Sequence, residues 1–236
     1  MAAAGPVTFA APASSSELDR HNIENVGNFR VGVDAGAFIP NRVSWNGSGT
    51  INSLPVVASG QISSNTGSAV GGLFGYAFND YLNVDLDVGY VSSSFRKFDG
   101  TVSVAGLGNF GGSMSLTGRV ETIAGFLNAL ITPLGTNGRL TPYFGAGPGL
   151  AHSKARLQSF TVGPVTLPVN STSSETDFAA DGVLGFDIKL TRQLELGVAY
   201  EYVWINAKHL GSGSGIDANN GSVSGQIVGL LLEYRF

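Results

Sequence analysis

A strict two-residue alternation of apolar and polar side chains recurs along this chain and constrains its fold more than any other feature. The alternation is clearest from Leu82 to Tyr90, where every even-numbered residue is apolar or aromatic and the odd-numbered residues include Asp85 and Asp87. A β-strand presents successive side chains to opposite faces, so this stretch indicates a strand with one apolar and one polar face. A shift of register by one residue would turn both aspartates to the apolar side, so the phase is well determined.

The stretch Gln226–Phe236 repeats the alternation and ends its apolar row on an aromatic residue. Glu233 and Arg235 fall on the opposite face. Such a row suits a strand that meets lipid and carries its aromatic residue at the membrane boundary, whereas the alternative is the last strand of a soluble β-sandwich. The apolar row comprises Val228, Leu230, Leu232, Tyr234 and Phe236.

The composition separates these alternatives. Charged residues make up 13% of the chain, about half the usual fraction in soluble domains. Yet no apolar run reaches the ~18–20 residues that a spanning helix needs. The 34 glycines disfavour long helices and suit turns and close strand contacts. These properties together favour a transmembrane β-barrel.

The same composition excludes several other classes of site and partner. The chain has no cysteine, which excludes a disulfide framework and a thiolate metal site. Its net charge of −4, with no cluster of lysine and arginine, gives no indication of a nucleic-acid partner.

Eight segments share the alternation, and long connections alternate with short turns between them. Outer-membrane barrels pair long external loops with short periplasmic turns. We therefore predict an all-β fold, an eight-stranded antiparallel up-and-down transmembrane β-barrel over residues 29–236 with four long external loops. The strands are expected near 29–38, 68–79, 82–90, 116–131, 142–151, 180–190, 194–204 and 226–236, and the loops near 40–65, 92–114, 152–177 and 206–222.

Two of these segments are irregular. The stretch Ile123–Leu130 is apolar on both faces and contains Asn128, so we expect a bulge there, and the phase of this strand stays open. Pro148 lies inside the next strand, where it removes a hydrogen-bond donor and indicates another bulge.

The topology sorts the aromatic residues into two belts, as expected at the two membrane boundaries. The periplasmic belt is predicted to contain Phe29, Phe78, Tyr81, Tyr143, Tyr234 and Phe236, and the outer belt Phe38, Tyr90, Phe178, Tyr202 and Trp204.

Residues 1–28 carry no strand pattern and form no export signal, because they lack a basic start and an uninterrupted apolar core. We expect a flexible N-terminal periplasmic extension behind an export signal that has been removed; a remnant of that signal's cleavage region is the alternative.

Taken in order, several motifs resemble the small outer-membrane β-barrel proteins of Gram-negative bacteria. The resemblance is to the OmpA-like, OmpX-like and opacity-type surface proteins of the porin family, and it covers about residues 29–236. Each motif is weak alone, and their order makes the set more specific. They are Gly75–Phe78, Leu82–Tyr90, Pro142–Gly147, Leu196–Tyr202 and Tyr234–Phe236.

The resemblance implies a place in the bacterial outer membrane, in contact with lipid and lipopolysaccharide. It also implies a surface protein of structural or adhesion type, a surface antigen whose loops contact a host or other partner. In such families the barrel-assembly machinery reads the terminal aromatic row. We assign that signal here to Val228, Leu230, Leu232, Tyr234 and Phe236.

The polar face of the strands is expected to turn inward, into a lumen about as wide as its own side chains. Two interpretations remain open. The first is a mostly plugged lumen filled by an ion-pair and water network; the second is a narrow, cation-preferring channel for ions or small solutes, since acids outnumber bases. The inward residues are Arg30, Asp34, Asp85, Asp87, Arg119, Glu121, Asp181, Asp187, Lys189, Glu195, Glu201, Glu233 and Arg235.

Catalytic interpretations have little support in the residues. Some small barrels modify lipids, so the neighbouring pair His152 and Ser153 is the candidate to test. Adjacent residues of a strand point to opposite faces and cannot share a proton. We therefore predict no enzyme and no catalytic, cofactor-binding or metal site. A soluble lipocalin-like barrel remains a further alternative, although it would have to turn the aromatic face inward.

The terminal aromatic residue yields the first test. Removing Phe236 is expected to lower, several-fold, the amount of barrel inserted in the outer membrane, because the apolar row loses its last aromatic side chain. Insertion is measured by the heat-dependent gel mobility of membrane fractions, with Phe236→Tyr as the control that keeps an aromatic ring. Normal assembly of the truncated chain would count against the signal.

Overall fold

The computed structural model describes residues 28–51, 54–106, 108–162, 165–207 and 216–236, nearly all of them in β-strands. Among these residues there is no helix long and apolar enough to cross a membrane. The predicted extension 1–28 lies, apart from Asn28, outside the described residues. The strands are β1 Phe29–Pro40, β2 Val43–Ile51, β3 Leu54–Ser64, β4 Gly67–Ala77, β5 Leu82–Val104, β6 Gly108–Ile131, β7 Leu140–Val162, β8 Val165–Lys189, β9 Leu194–Ile205, β10 Ile216–Asn220 and β11 Val223–Arg235.

Eight of the strands close into a ring, which confirms the predicted up-and-down barrel. Around the ring, β5 pairs with β4, then β1, β11, β9, β8, β7 and β6 follow, and β6 pairs with β5 again. All these pairings are antiparallel. Following the paired residues from Phe29, strand by strand around the ring, leads back to β1 at Ile39 rather than at Phe29. The register is therefore staggered, and the strands are tilted relative to the barrel axis.

The outer wall of the ring is apolar because every strand turns its apolar row outward. Leu86, Phe144, Leu184 and Leu230 each expose half or more of their surface. Such a band is the surface that lipid covers in a membrane barrel. The terminal row from Val228 to Phe236 belongs to the same wall.

One end of the ring carries the short turns, the start of β1 and the end of β11. Asn79 Oδ1 accepts hydrogen bonds from the backbone N–H groups of Tyr81 and Leu82, and Thr191 Oγ1 does the same for Gln193 and Leu194. These side chains replace backbone partners and so permit tight reversals. Short turns mark the periplasmic end.

The four external segments are long, as predicted, but most of their described length is strand rather than loop. Residues 40–65 contain the hairpin β2–β3, and β5–β6 and β7–β8 continue far past the expected ends. Strand β10 lies in the fourth segment, of which residues 208–215 fall outside the described residues. The strands β10, β2 and β3 pair side by side, and β3 pairs with the outer half of β5. We call this assembly, with the outer halves of β5 to β8, the outer sheet.

The outer sheet forms because the alternation persists among its serines and glycines. Every second residue turns inward, and Ala58, Phe98, Val102, Met114 and Leu116 form a buried cluster there. The residues that alternate with them along the strands face water rather than lipid and can therefore be polar. Because these segments are rich in serine and glycine, which are common in turns, their strand alternation is hard to recognise in the sequence.

The predicted bulges are absent, and irregularities lie elsewhere. Between Leu82 and Ser94, β5 pairs with β6 without a break, so the stretch Ile123–Leu130 contains no bulge on this side. Pro148 interrupts the ladder to β6 locally, because it has no N–H to donate, yet the register is the same on both sides of the gap. The observed shifts lie farther from the periplasmic end, at Ser94/Lys97, Thr117/Gly118 and Leu157/Ser159 in the ring strands and at Ser63/Ser64 between β3 and β5.

Two aromatic residues assigned to the belts lie inside the barrel instead. Phe38 and Tyr143 are buried and share the inward parity of their strands. Other members do contact one another on the outer wall, where ring centroids are 5.1 Å apart for Tyr234 and Phe236 and 6.4 Å apart for Phe178 and Trp204.

The seam between β1 and β11 depends on a close glycine pair, which gives a second test. A Cβ on Gly36 would lie 2.7 Å from Gly229 Cα, whereas a Cβ on Gly89 has no contact closer than 3.8 Å, to Val70 O. Gly36→Ala is expected to cost about 1–3 kcal/mol of unfolding free energy through overpacking. Urea unfolding in lipid measures the loss, with Gly89→Ala as control. Equal effects of both substitutions would refute the close seam.

Candidate functional site

The periplasmic half of the lumen is filled by a network of buried charges centred on Arg30. The guanidinium binds Asp85 through two nitrogens, with Nη2 2.5 Å from Oδ2 and Nε 3.2 Å from Oδ1. Its third nitrogen, Nη1, lies 3.2 Å from Glu233 Oε2. All three residues are at most 4% exposed. A planar guanidinium shared by two carboxylates fixes three strands, β1, β5 and β11, against one another.

A second arginine completes this lower network, which we define as Arg30, Asp85, Asp187, Glu195, Glu233 and Arg235. Arg235 Nη2 lies 3.3 Å from Glu195 Oε2. Carboxylate oxygens of Asp187, Glu195 and Glu233 lie within 4.8 Å of one another. Such a trio has the spacing of a metal site, but two of its members already pair with arginines, so charge balance within the network explains their position. Lys189 Nζ donates instead to the backbone oxygen of Thr136, in a periplasmic turn.

A second group of acids lies toward the outside of this network. Asn128 Nδ2 donates to Asp87 Oδ2 and to Asp181 Oδ2, each at 2.8 Å. Glu201 faces inward on the neighbouring strand β9, and Asp34 lines the same space from β1. We call Asp34, Asp87, Asp181 and Glu201 the acid floor.

Beyond the acid floor the lumen opens into a cavity of about 500 Å³, which we call the chamber. On β1, β5 and β9 the inward residues nearer the outside are mainly small or apolar, whereas on β8 Asp177 and Glu175 follow Ala179 on the inward parity. The chamber continues into the outer sheet. Its apolar lining includes Phe38, Leu73, Val91, Ala124, Phe126, Val203, Ile205 and Ile227 in the ring, and Trp45, Ala58, Phe95, Phe98, Val102, Leu116 and Phe160 in the outer sheet.

Two of the residues predicted to point inward are on the other face. Arg119 and Glu121 share the parity of the exposed Ile123, while Val120 and Thr122 line the chamber. Both charges lie above the apolar band, where an outward charge carries little penalty, so charge alone did not identify the inner face there. Arg119 Nη1 lies 3.7 Å from Glu121 Oε1, so the two side chains pair with each other on the outer face.

The other predicted lumen residues do face inward, at two levels. Those in the lower network and acid floor are Arg30, Asp34, Asp85, Asp87, Asp181, Asp187, Glu195, Glu201, Glu233 and Arg235, and Lys189 lies at the periplasmic mouth.

Asn128, Phe38 and Phe126 are lumen residues that the sequence did not reveal. Asn128 is 3% exposed and organises the acid floor, and the two phenylalanines line the chamber. The signal was parity: Phe38 continues the even-numbered row of Arg30 and Asp34. Aromatic side chains at a strand end were assigned to the membrane boundary on residue type alone.

Above the membrane the outer sheet carries paired surface charges. Lys97 Nζ lies 2.8 Å from Asp99 Oδ2. Hydrogen bonds from Lys97 and Ser113 hold the pKa of Asp99 below its usual range.

This geometry divides the lumen into two chemical zones. The lower network offers fixed charges with satisfied partners and little free space. The chamber offers apolar surface over an acidic base, which is the composition of a binding pocket with a few polar groups.

Comparison with known proteins agrees with this fold. The chain is similar to OprG of Pseudomonas aeruginosa, with 17% identity over 89% of this chain and 97% of OprG and a TM-score of 0.52. It is also similar to Neisserial surface protein A, with 18% identity over 90% of this chain and 100% of that chain and a TM-score of 0.45. At 17% identity the similarity to OprG shows the fold alone. None of the curated proteins matches the chain.

The sequence matches one protein family along its whole length, residues 1–236. The lipid-facing wall, the closed ring and the short periplasmic turns agree with that match and with a place in the outer membrane of a Gram-negative bacterium. The chain therefore belongs to the outer membrane protein beta-barrel domain family.

Proposed function

We propose that this barrel binds small apolar molecules from the outside in its chamber and keeps the lumen closed toward the periplasm. The observation that carries the proposal is the apolar lining of a 500 Å³ cavity directly above a layer of buried charge. Cavities of this size are typical of small-molecule sites.

Binding in the chamber is favourable when an apolar molecule replaces the water within it. Its walls carry large apolar side chains such as Phe38, Phe126 and Ile205. Each Å² of apolar surface removed from water contributes about 25 cal/mol, and apolar walls give water few hydrogen-bond partners. The site therefore selects molecules by apolar area and shape.

The lower network supports the closed periplasmic side. Arg30, Asp85, Glu195 and Glu233 are each at most 4% exposed. Arg30 joins Asp85 to Glu233 across the lumen, and Glu195 pairs with Arg235. An apolar molecule that crossed this layer would have to separate buried ion pairs, which costs about 3–5 kcal/mol when one partner is lost.

The chamber faces the outside of the membrane. Its lining continues from the ring into the outer sheet, where Trp45, Phe98 and Phe160 form part of the wall. A molecule that reaches the chamber from this side does not cross the lower network.

The proposal is for a protein without catalysis. His152 Nδ1 contacts Thr176 Oγ1 on the outer face, whereas Ser153 Oγ contacts Thr122 Oγ1 inside the barrel. The wall separates the two side chains, so they cannot form a nucleophile and base pair.

Surface contact is a second proposal, which rests on the outer sheet. Its strands project beyond the apolar band and carry exposed charges such as Arg119, so a host or other partner can reach them. We also propose that the barrel contacts lipopolysaccharide and that the barrel-assembly machinery reads the row Val228–Phe236.

The chamber is tested with a tryptophan reporter. The chain has two tryptophans, and Trp204 lies on the outer wall, so Trp204→Phe leaves Trp45 in the chamber as the single reporter. We expect 1-bromooctane to quench Trp45 saturably in nanodiscs. Ala124→Phe, which fills the chamber, is expected to weaken quenching several-fold.

Ile123→Phe is the matched control, because Ile123 directly precedes Ala124 on β6 and faces outward. It is expected to leave quenching unchanged. Quenching that never saturates, or that both substitutions reduce equally, would overturn the chamber.

The periplasmic closure is tested at Arg30. Arg30→Met leaves Asp85 and Glu233 buried without their cation, and we expect a loss of about 3–5 kcal/mol in unfolding free energy. Urea unfolding in lipid measures it. The control is Arg119→Met on the outer face, where a change within about 0.5 kcal/mol is expected.

Planar-bilayer recordings decide between closure and the narrow cation channel. We expect no reproducible unit conductance from the unmodified chain. Conductance steps that disappear when Glu201 or Asp85 is neutralised would replace the closed lumen with an ion path.

A further inference from the structure

The base of the chamber is purely acidic. Its lining includes Asp34, Asp87, Asp181 and Glu201, and no lysine, arginine or histidine among the described residues. Within the same part of the chain, no cation lies at ion-pair distance from any of these four. The other acids that reach the cavity, Asp85 and Glu233, are both bound to Arg30.

The acid floor contains more hydrogen-bond acceptors than donors. The amide nitrogen of Asn128 serves both Asp87 and Asp181, which fixes the orientation of that amide. Asn128 Oδ1 then has no hydrogen-bond partner, although Asn128 is only 3% exposed. Buried acceptors without a donor are costly, so this site favours a ligand that brings donors.

Asp181 and Glu201 point to the same chemistry. Both face inward on neighbouring strands, where Asp181 pairs with Val203 and Val183 pairs with Glu201. Neighbouring carboxylates repel each other when both are ionised, and a ligand cation between them offsets that repulsion.

We propose that the chamber takes an amphiphilic amine, with its ammonium group on the acid floor and its hydrocarbon tail against the apolar wall. The ammonium carries three donors and a positive charge, which match the unpartnered oxygen of Asn128 and the floor carboxylates that lack an ion-pair partner. The tail extends outward past Phe126 and Val203. This inference rests on the proposed function and specifies the ligand class of the same site.

A bare metal ion fits the acid floor less well than an ammonium group. The carboxylates with metal-like spacing are Asp187, Glu195 and Glu233, in the lower network, and none of them belongs to the floor. A metal ion would also leave the apolar wall above the floor without a partner. An amphiphile uses both surfaces at once.

The experiment compares octylamine with octanol, which has a similar tail and no charge. Both compete with 1-bromooctane for the Trp204→Phe chain in nanodiscs of zwitterionic phosphatidylcholine, and recovery of Trp45 fluorescence reports displacement. We expect octylamine to displace at a concentration about tenfold lower or more, since charge-assisted hydrogen bonds form only with the amine.

Two variants test whether the preference for octylamine over octanol arises from the acid floor. Asp181→Asn with Glu201→Gln is expected to abolish the advantage of octylamine while octanol still displaces. Glu121→Gln removes an acid from the outer face and is expected to preserve the advantage. Heat-dependent gel mobility establishes that each variant is folded.

Each outcome decides a separate point. Equal displacement by both ligands from the otherwise unmodified chain overturns the amine preference, whether or not the double variant folds. Loss of the advantage in Glu121→Gln assigns it to surface charge and also overturns it. If neither ligand displaces bromooctane, or bromooctane does not bind, the proposed function itself fails.

Discussion

In hydrocarbon no water can replace a missing backbone hydrogen bond, and the rest of this structure depends on that constraint. An open sheet edge in the membrane would leave a row of donors and acceptors unpaired, so β1 must meet β11 and the ring must close. Closure gives every strand an inside and an outside. The outer row becomes apolar because it meets lipid, and all polar side chains at membrane depth are directed into one narrow space.

Collecting charges in a narrow space creates a second problem, which the barrel solves differently at its two ends. Near the periplasm, Arg30 and Arg235 neutralise acids from β5, β9 and β11 and tie those strands together. Farther out, no arginine of the described residues lines the lumen, and the acids there meet an apolar cavity instead. The proposed closure and the proposed ligand site therefore use the same inward rows at different depths.

The sequence was sufficient where a single environment acts on each face of a strand. Leu82–Tyr90 and Gln226–Phe236 lie at membrane depth, so parity alone gave strand, phase and ring. It was insufficient above the membrane, where both faces can be polar: Arg119 and Glu121 were assigned inward, and the outer sheet was taken for loops. Phe38 shows the converse error, because an aromatic side chain suits either a boundary or a cavity. The chamber itself depends on how distant strands are staggered, which no local pattern records.

Strands β5 to β8 run without interruption from the periplasmic turns into the outer sheet, and this continuity has a consequence for substitution. Neighbouring positions on one strand meet two separate environments, the interior and the exterior. Arg119 and Val120 are adjacent in the chain, yet Arg119 faces outward and Val120 lines the chamber. Substitutions at the outward positions can therefore alter the exterior while the residues that line the interior stay the same, without any insertion, deletion or change of register.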